Sequence, residues 1–275
     1  RASRAAARAL YCSSLLLDGA RGKGRVAGRW GWCALERDLL LTADLKVAVR
    51  QKYPIHGNWK LALENFQECY HCGPSHKSLV TTHNYDMEGT PEQHAQRAAS
   101  VRAWVRPEGQ RSLGGGFGGG MGLGSGGESA EYGVFGRLNP GHMTGSMDGK
   151  PLAPLLPNID DWTYGTRIAA TRFFSYYAQC YDDHVAIARF TPRGPALTDC
   201  ELMWLVHPDA VEGRDYDPDA LMALWHVTIQ EDIWVVENNH QGVRSSNYRS
   251  GRYSVAEGGP SAFAEWYMDQ IVGSA

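Results

Sequence analysis

The stretch Asn58-Trp59-Lys60-Leu61-Ala62-Leu63-Glu64-Asn65-Phe66-Gln67-Glu68-Cys69-Tyr70-His71-Cys72-Gly73-Pro74-Ser75-His76 carries more information than the rest of the chain. A carboxylate stands three residues before one histidine, and a second histidine follows five residues later. Apolar and polar residues up to Tyr70 repeat at helical spacing, so a helix is expected there, with Glu68 and His71 on one face a turn apart. Gly73-Pro74 is expected to end or bend that helix, which lets His76 swing back towards His71. Two imidazoles brought together in this way need one more carboxylate to complete the 2-His-1-carboxylate face on which ferrous ions are held.

Working outward, residues 45–56 alternate as a strand leading into the motif. From Arg167 the pattern is that of antiparallel sheet. Arg167 to Tyr177 is a β-rich run closed by the turn Tyr181-Asp182-Asp183-His184; Val185 to Thr191 is the next strand and Cys200 to Val206 a third. Asp217-Pro218-Asp219 then caps a helix, with proline in its first turn. On that helix Leu221, Leu224, Trp225, Thr228, Ile229, Asp232, Val235 and Val236 share one face. Asp232 is the anomaly, a carboxylate on an otherwise apolar stripe. An unpaired charge is costly to bury, so a cation or metal partner is expected for it. The fold class is α+β, an antiparallel, strongly bent sheet wrapped round a long C-terminal helix.

The motif resembles the catalytic-domain signature of Rieske non-haem iron oxygenase alpha subunits, and in particular the branch that oxidises betaines and other quaternary ammonium compounds. The similarity continues in Gln230-Glu231-Asp232, Glu237 to Val243, Tyr248, Gly251, Tyr253-Ser254 and Trp266-Tyr267. The resemblance covers roughly residues 46–275, with a lapse in the middle. It implies that His71, His76 and Asp232 are the Fe(II) ligands. It gives Glu68 a bridging role, hydrogen bonded between a ligand histidine of one subunit and a cluster histidine of its neighbour, and places Asn65 near the iron without binding it. It also implies a helix-grip (SRPBCC, Bet v 1-like) architecture and a homotrimeric ring in the intact enzyme. A small-molecule substrate, dioxygen and a reductase or ferredoxin electron donor are its expected partners. The activity implied is O2-dependent hydroxylation and N-demethylation of a betaine-like compound. Aromatic-ring hydroxylation stands as the alternative, and a non-catalytic helix-grip ligand-binding module as the alternative from another class.

Zinc is a further option, because Cys69-x-x-Cys72 with the two histidines offers sulfur and nitrogen donors. It is the lesser one: Cys12, Cys33, Cys180 and Cys200 show no second ligand pair. Recognition of a quaternary ammonium group calls for aromatic ring faces, for which Trp162, Tyr164, Phe173, Phe174, Tyr176, Tyr177 and Trp204 are candidates, most of them also fit to be core.

A [2Fe–2S] Rieske cluster needs Cys-x-His followed by Cys-x-x-His. No such pair precedes the motif: Cys12 is followed by Ser-Ser, Cys33 by Ala-Leu, and the first histidine is His56. The cluster is therefore expected in the intact enzyme but not on this chain. A start at Arg1 suggests a fragment. Residues 1–45 read as an atypical basic segment and 46–275 as the catalytic domain. Within 1–30, seven basic residues face one acid, the composition of an organelle transit peptide or of a lead-in foreign to the fold. Gly114 to Gly127 holds ten glycines in fourteen positions, read as a flexible insertion over 113–128. Its Gly122-x-Gly124-x-x-Gly127 lacks the strand and helix of a dinucleotide site.

Composition bounds the rest. At 275 residues, 43% hydrophobic and 21% charged, the chain has an ordinary globular make-up. A net charge of −3 argues against nucleic-acid or anionic-membrane binding. No apolar run reaches the length of a membrane span. Six irregularly spaced cysteines do not make a secreted disulfide framework, and a cytoplasmic location is expected.

Overall fold

The structure is a computed structural model that describes residues 45–83, 131–157, 159–162, 165–171, 176–253, 257, 260–261, 263–265 and 267–268. The basic segment before Leu45 and the glycine-rich insertion at 113–128 lie outside the described residues.

Six strands form one antiparallel sheet: β1 (Lys46–Ile55), β2 (Glu131–Arg137), β3 (Gly165–Thr171), β4 (Tyr176–Cys180), β5 (Val185–Gly194) and β6 (Leu197–Val206), in the order β1-β6-β5-β4-β3-β2. Strands β2 to β6 are thus a meander, and the N-terminal β1 closes it by pairing with the last strand. Among the described residues, the helices that frame the site are α1 (Trp59–Asn65), α2 (Cys72–Ser75), α3 (Lys77–Thr82) and α4 (Pro218–Val243). This is the α+β arrangement that the sequence implies.

Strand chemistry follows position in the sheet. Pro54 lies in β1, an edge strand of the sheet, the position in which a sheet accommodates proline. Pro192 lies in β5 beyond Arg189, the last residue paired to β4, and beside a register shift against β6. One expectation is corrected here. The run from Arg167 to Tyr177 reads as one strand but is divided between β3 and β4, which pair with each other at Ala170 and Tyr177. Continuous β-forming residues hide a reversal when no Gly, Pro or Asn marks it.

Helix α4 starts as expected. The Asp217 side chain accepts hydrogen bonds from Asp219 N and Ala220 N at 2.7 and 3.3 Å, and Pro218 sits in the first turn, where no N–H is required. Its buried face comprises Leu221, Leu224, Trp225, Thr228, Ile229, Asp232, Val236 and His240; Val235 is only partly buried. This face packs on a core of Ile55, Leu63, Phe190, Leu202 and Trp204. Helix α1, capped by Asn58 Oδ1 on Lys60 N at 3.1 Å, lies between α4 and the sheet. Phe66, just after it, sets its ring edge-on against Tyr177 and Phe190. The rings of Phe263 and Tyr267 from the C-terminal tail pack edge-on against Trp59.

A buried polar knot ties the helices to the sheet end. Tyr181 OH lies 2.8 Å from His83 Nε2 at the end of α3 and accepts from Trp225 Nε1 of α4 at 3.2 Å. Burial pushes the His83 imidazole down to about 3, so it is neutral. The Tyr181 ring stacks on His184, with centroids 4.5 Å apart. On the Tyr181 ring also sits Gly145, where a β-carbon would lie inside the van der Waals radius of the phenol. Neither Tyr181 nor its partners can retreat, so Gly145→Ala is expected to destabilise the chain by about 2–3 kcal/mol, as overpacking does. Urea unfolding of the metal-free chain measures this; a shift of less than about 0.5 kcal/mol would show that the knot yields.

Candidate metal centre

The motif chain does not continue as helix to Tyr70. Helix α1 stops at Asn65; Phe66 N–H turns back to Ala62 O, and Gln67 N–H to Glu64 O at 3.0 Å. Gly73 and Pro74 do not end a helix either. They lie inside the four-residue α2, early enough that the missing proline N–H breaks no bond. His71 is the N-cap of α2, and His76 its C-cap and the N-cap of α3. One short helix thereby fixes the separation of the two imidazoles.

Across from them, α4 presents Asp232. His71 Nε2 and His76 Nε2 are 3.0 Å apart, and Asp232 Oδ1 lies 3.2 Å from the first and 3.1 Å from the second. The two rings meet at 81°. Asn65 Nδ2 donates to the same Oδ1 at 2.6 Å. Asp232 and His76 are almost wholly buried, at 3% and 1% exposure. Each far ring nitrogen has its own carboxylate: His71 Nδ1 is 2.6 Å from Glu68 Oε1, and His76 Nδ1 is 2.8 Å from Glu231 Oε2. Glu68 is further fixed by accepting from Tyr70 N–H.

Electrostatics follow from this packing. Burial pushes the His71 imidazole down, but hydrogen bonds to Asp232 and Glu68 outweigh it and hold it at about 9. His76 is likewise raised, burial being outweighed by Asp232 and Glu231. Burial pushes the Asp232 carboxyl up, and the hydrogen bonds from His71 and His76 bring it below its usual value. The metal-free centre is therefore a buried carboxylate neutralised by imidazolium.

The donor set fits a divalent first-row ion. Cis ligands of an octahedral ion bonded at about 2.1–2.2 Å lie about 3.0–3.1 Å apart, and two nitrogens with one anionic oxygen leave three positions open. The zinc reading loses its sulfur. Cys72 offers an atom within 4.8 Å of the imidazole nitrogens, but Cys69 and Cys72 are joined in a disulfide. Cys180 and Cys200 are fully buried in the sheet.

All five residues singled out in the sequence, Asn65, Glu68, His71, His76 and Asp232, are thus brought together. Glu231, which stands in the matched run Gln230-Glu231-Asp232 without a role assigned from the sequence, joins them through His76 Nδ1. The aromatic candidates fare differently. Tyr177 and Trp204 are core residues, 6% and 0% exposed, with the Tyr177 ring against Phe66 and Trp225. Trp162 is partly buried. The side chains of Tyr164, Phe173, Phe174 and Tyr176 lie outside the described residues.

An α+β sheet and helix around a buried two-histidine, one-carboxylate cluster define the class. The chain belongs to the ring-hydroxylating alpha subunit family, whose catalytic domain matches residues 42–273. It is similar to the glycine betaine monooxygenase oxygenase subunit of Chromohalobacter salexigens, 29% identical over 244 residues, which are 83% of this chain and 50% of that one. The glycine betaine monooxygenase oxygenase subunit of Pseudomonas aeruginosa is 30% identical over 241 residues, 83% of this chain and 52% of that one. The chain therefore spans about half the length of the curated relatives it matches. Its fold matches a crystal structure of the quaternary ammonium Rieske monooxygenase CntA with TM-score 0.53 at 16% identity, covering 86% of this chain and 52% of that one.

Proposed function

We propose that the chain is the iron-binding catalytic part of an O2-dependent monooxygenase acting on a betaine-like quaternary ammonium compound. The observation that carries this reading is the triangle of His71 Nε2, His76 Nε2 and Asp232 Oδ1, with sides of 3.0 to 3.2 Å. Similarity to glycine betaine monooxygenase subunits supports the substrate class. Fe(II) bound there would supply activation of dioxygen beside a C–H bond next to the quaternary nitrogen. The chain's own residues do the rest. His71 and His76 contribute neutral nitrogens and Asp232 the single negative charge, while Asn65 holds that carboxylate and Glu68 holds the His71 ring. The helix-grip architecture, with the sheet bent round α4, belongs to the same reading.

Glu68 is the residue that would reach outward. It is partly exposed beside His71, which suits a bridge to a cluster histidine of a neighbouring subunit in a trimer. The [2Fe–2S] cluster and the reductase would come from outside the residues of this chain, whose sequence lacks the Cys-x-His and Cys-x-x-His pair. No helix among the described residues is long and apolar enough to cross a membrane. A non-catalytic binding module gives no reason for a buried aspartate opposite two histidines.

Anaerobic titration of the full chain is expected to load one Fe(II) per polypeptide. Near-infrared magnetic circular dichroism of the loaded chain is then expected to shift on adding glycine betaine and not on adding benzoate. Failure to bind iron would overturn the reading; a response to benzoate alone would move it to aromatic-ring hydroxylation.

A further inference from the structure

Both nitrogens of the His76 ring are met by neighbouring residues of one helix. Nε2 faces Asp232 Oδ1 at 3.1 Å, and Nδ1 faces Glu231 Oε2 at 2.8 Å. A ring nitrogen that binds a metal must present its lone pair, so the proton of the neutral ring stays on the other nitrogen. An ionised carboxylate accepts and does not donate. Opposite Glu231, Nδ1 is therefore the nitrogen that carries hydrogen.

We propose that Glu231 is a positioning residue of the metal centre. It holds His76 in the Nδ1–H tautomer and fixes the ring plane, so that Nε2 is the nitrogen offered to the ion. It does not touch the ion itself. Helix α4, 26 residues long, thus supplies one ligand through Asp232 and aims another through the residue before it. Ligand and aiming group share one rigid backbone, which a site on loops lacks. Glu68 aims His71 from the opposite side, but from a non-helical stretch between α1 and α2.

The alternative is an ion pair that serves only stability. The Glu231 side chain is 32% exposed, and pairs that open to water contribute little. Its place at the rim also means that its removal empties no core cavity, so the variants below are expected to fold.

The inference rests on the iron-centre reading, and the experiment separates the two. Wild-type chain, Glu231→Ala, Glu231→Gln and Asp232→Ala are titrated anaerobically with Fe(II), and with Co(II), whose visible absorption reports ligand geometry. Glu231→Ala is expected to weaken binding by roughly 10–100-fold and to shift the Co(II) bands, as loss of a carboxylate behind a ligand histidine does. Glu231→Gln is expected to recover most of the affinity, because its amide oxygen accepts the same hydrogen bond. Wild-type affinity and an unchanged Co(II) spectrum in Glu231→Ala would sink this inference alone. A glutamine variant as weak as the alanine one would overturn the tautomer account. Wild-type chain that binds no ion, or binds it equally well after Asp232→Ala, would overturn the centre and this inference with it. Glu231→Met, which keeps the length and offers no strong acceptor, repeats the test if the alanine chain does not fold.

Discussion

Asp232→Ala is expected to weaken Fe(II) binding by more than the roughly 100-fold attributable to a carboxylate behind a ligand, because it removes a donor and the only anionic one. The same substitution acts on the metal-free chain in a way that depends on pH. His71 is held at about 9 by Asp232 and Glu68, after burial has pulled it down. Without Asp232, both imidazoles lose their shared partner in a buried place. Breaking a buried pair costs about 3–5 kcal/mol when the remaining charge cannot escape, but an imidazolium can release its proton. The stability loss is therefore expected to be large near pH 6 and small above pH 9, where His71 is neutral in the parent chain as well. Asp232→Asn separates shape from charge. It fills the same space and can still receive Asn65, yet it is expected to bind iron poorly. Unfolding by urea at several pH values, beside iron titration, measures both halves. A stability loss that is the same at pH 6 and pH 9.5 would show that packing, not pairing, is what Asp232 supplies.

How far the sequence could be read depended on whether the signal was chemical or geometric. Asp232 announced itself, since a carboxylate among Leu, Trp, Ile and Val on one helical face violates a strong rule of burial. Asp217-Pro218 marked the start of α4 because capping is written in two or three adjacent residues. The motif gave its donors but not its path. Helical spacing runs on through Glu68 and Tyr70, whereas the chain leaves the helix at Phe66 to bury that ring against Tyr177 and Phe190. Local periodicity does not record such a tertiary contact. Glu231 was illegible for the opposite reason: an acid on a half-exposed helix face looks like any solvated charge. Only the ring of His76, 155 residues away in sequence yet 2.8 Å away in space, gives it meaning. Tyr177 and Trp204 show the same limit, because a strand aromatic reads alike whether it lines a cavity or fills a core.

Metal binding is expected to tighten by about 50-fold between pH 7 and pH 9, since a histidine must be neutral to bind a metal. In the metal-free chain His71 stands at about 9, so at pH 7 only about 1% of chains hold it neutral. The affinity should rise about tenfold per pH unit up to that value, more steeply where His76, also raised, is protonated too. Each ion bound should release at least one proton, which calorimetry in buffers of different ionisation enthalpy counts. Folding stability runs the other way. Because the folded His71 lies above its unfolded value of about 6.5, its contribution is complete below pH 6.5 and is lost as pH rises through about 9. The metal-free chain therefore gives up its internal cation over the range in which an external one binds best, and one charge replaces the other opposite Asp232. Co(II) titrations from pH 6 to 9.5 decide it. An affinity that stays flat between pH 7 and 9 would mean that both imidazoles are already neutral and that the Asp232 charge is balanced by something other than His71.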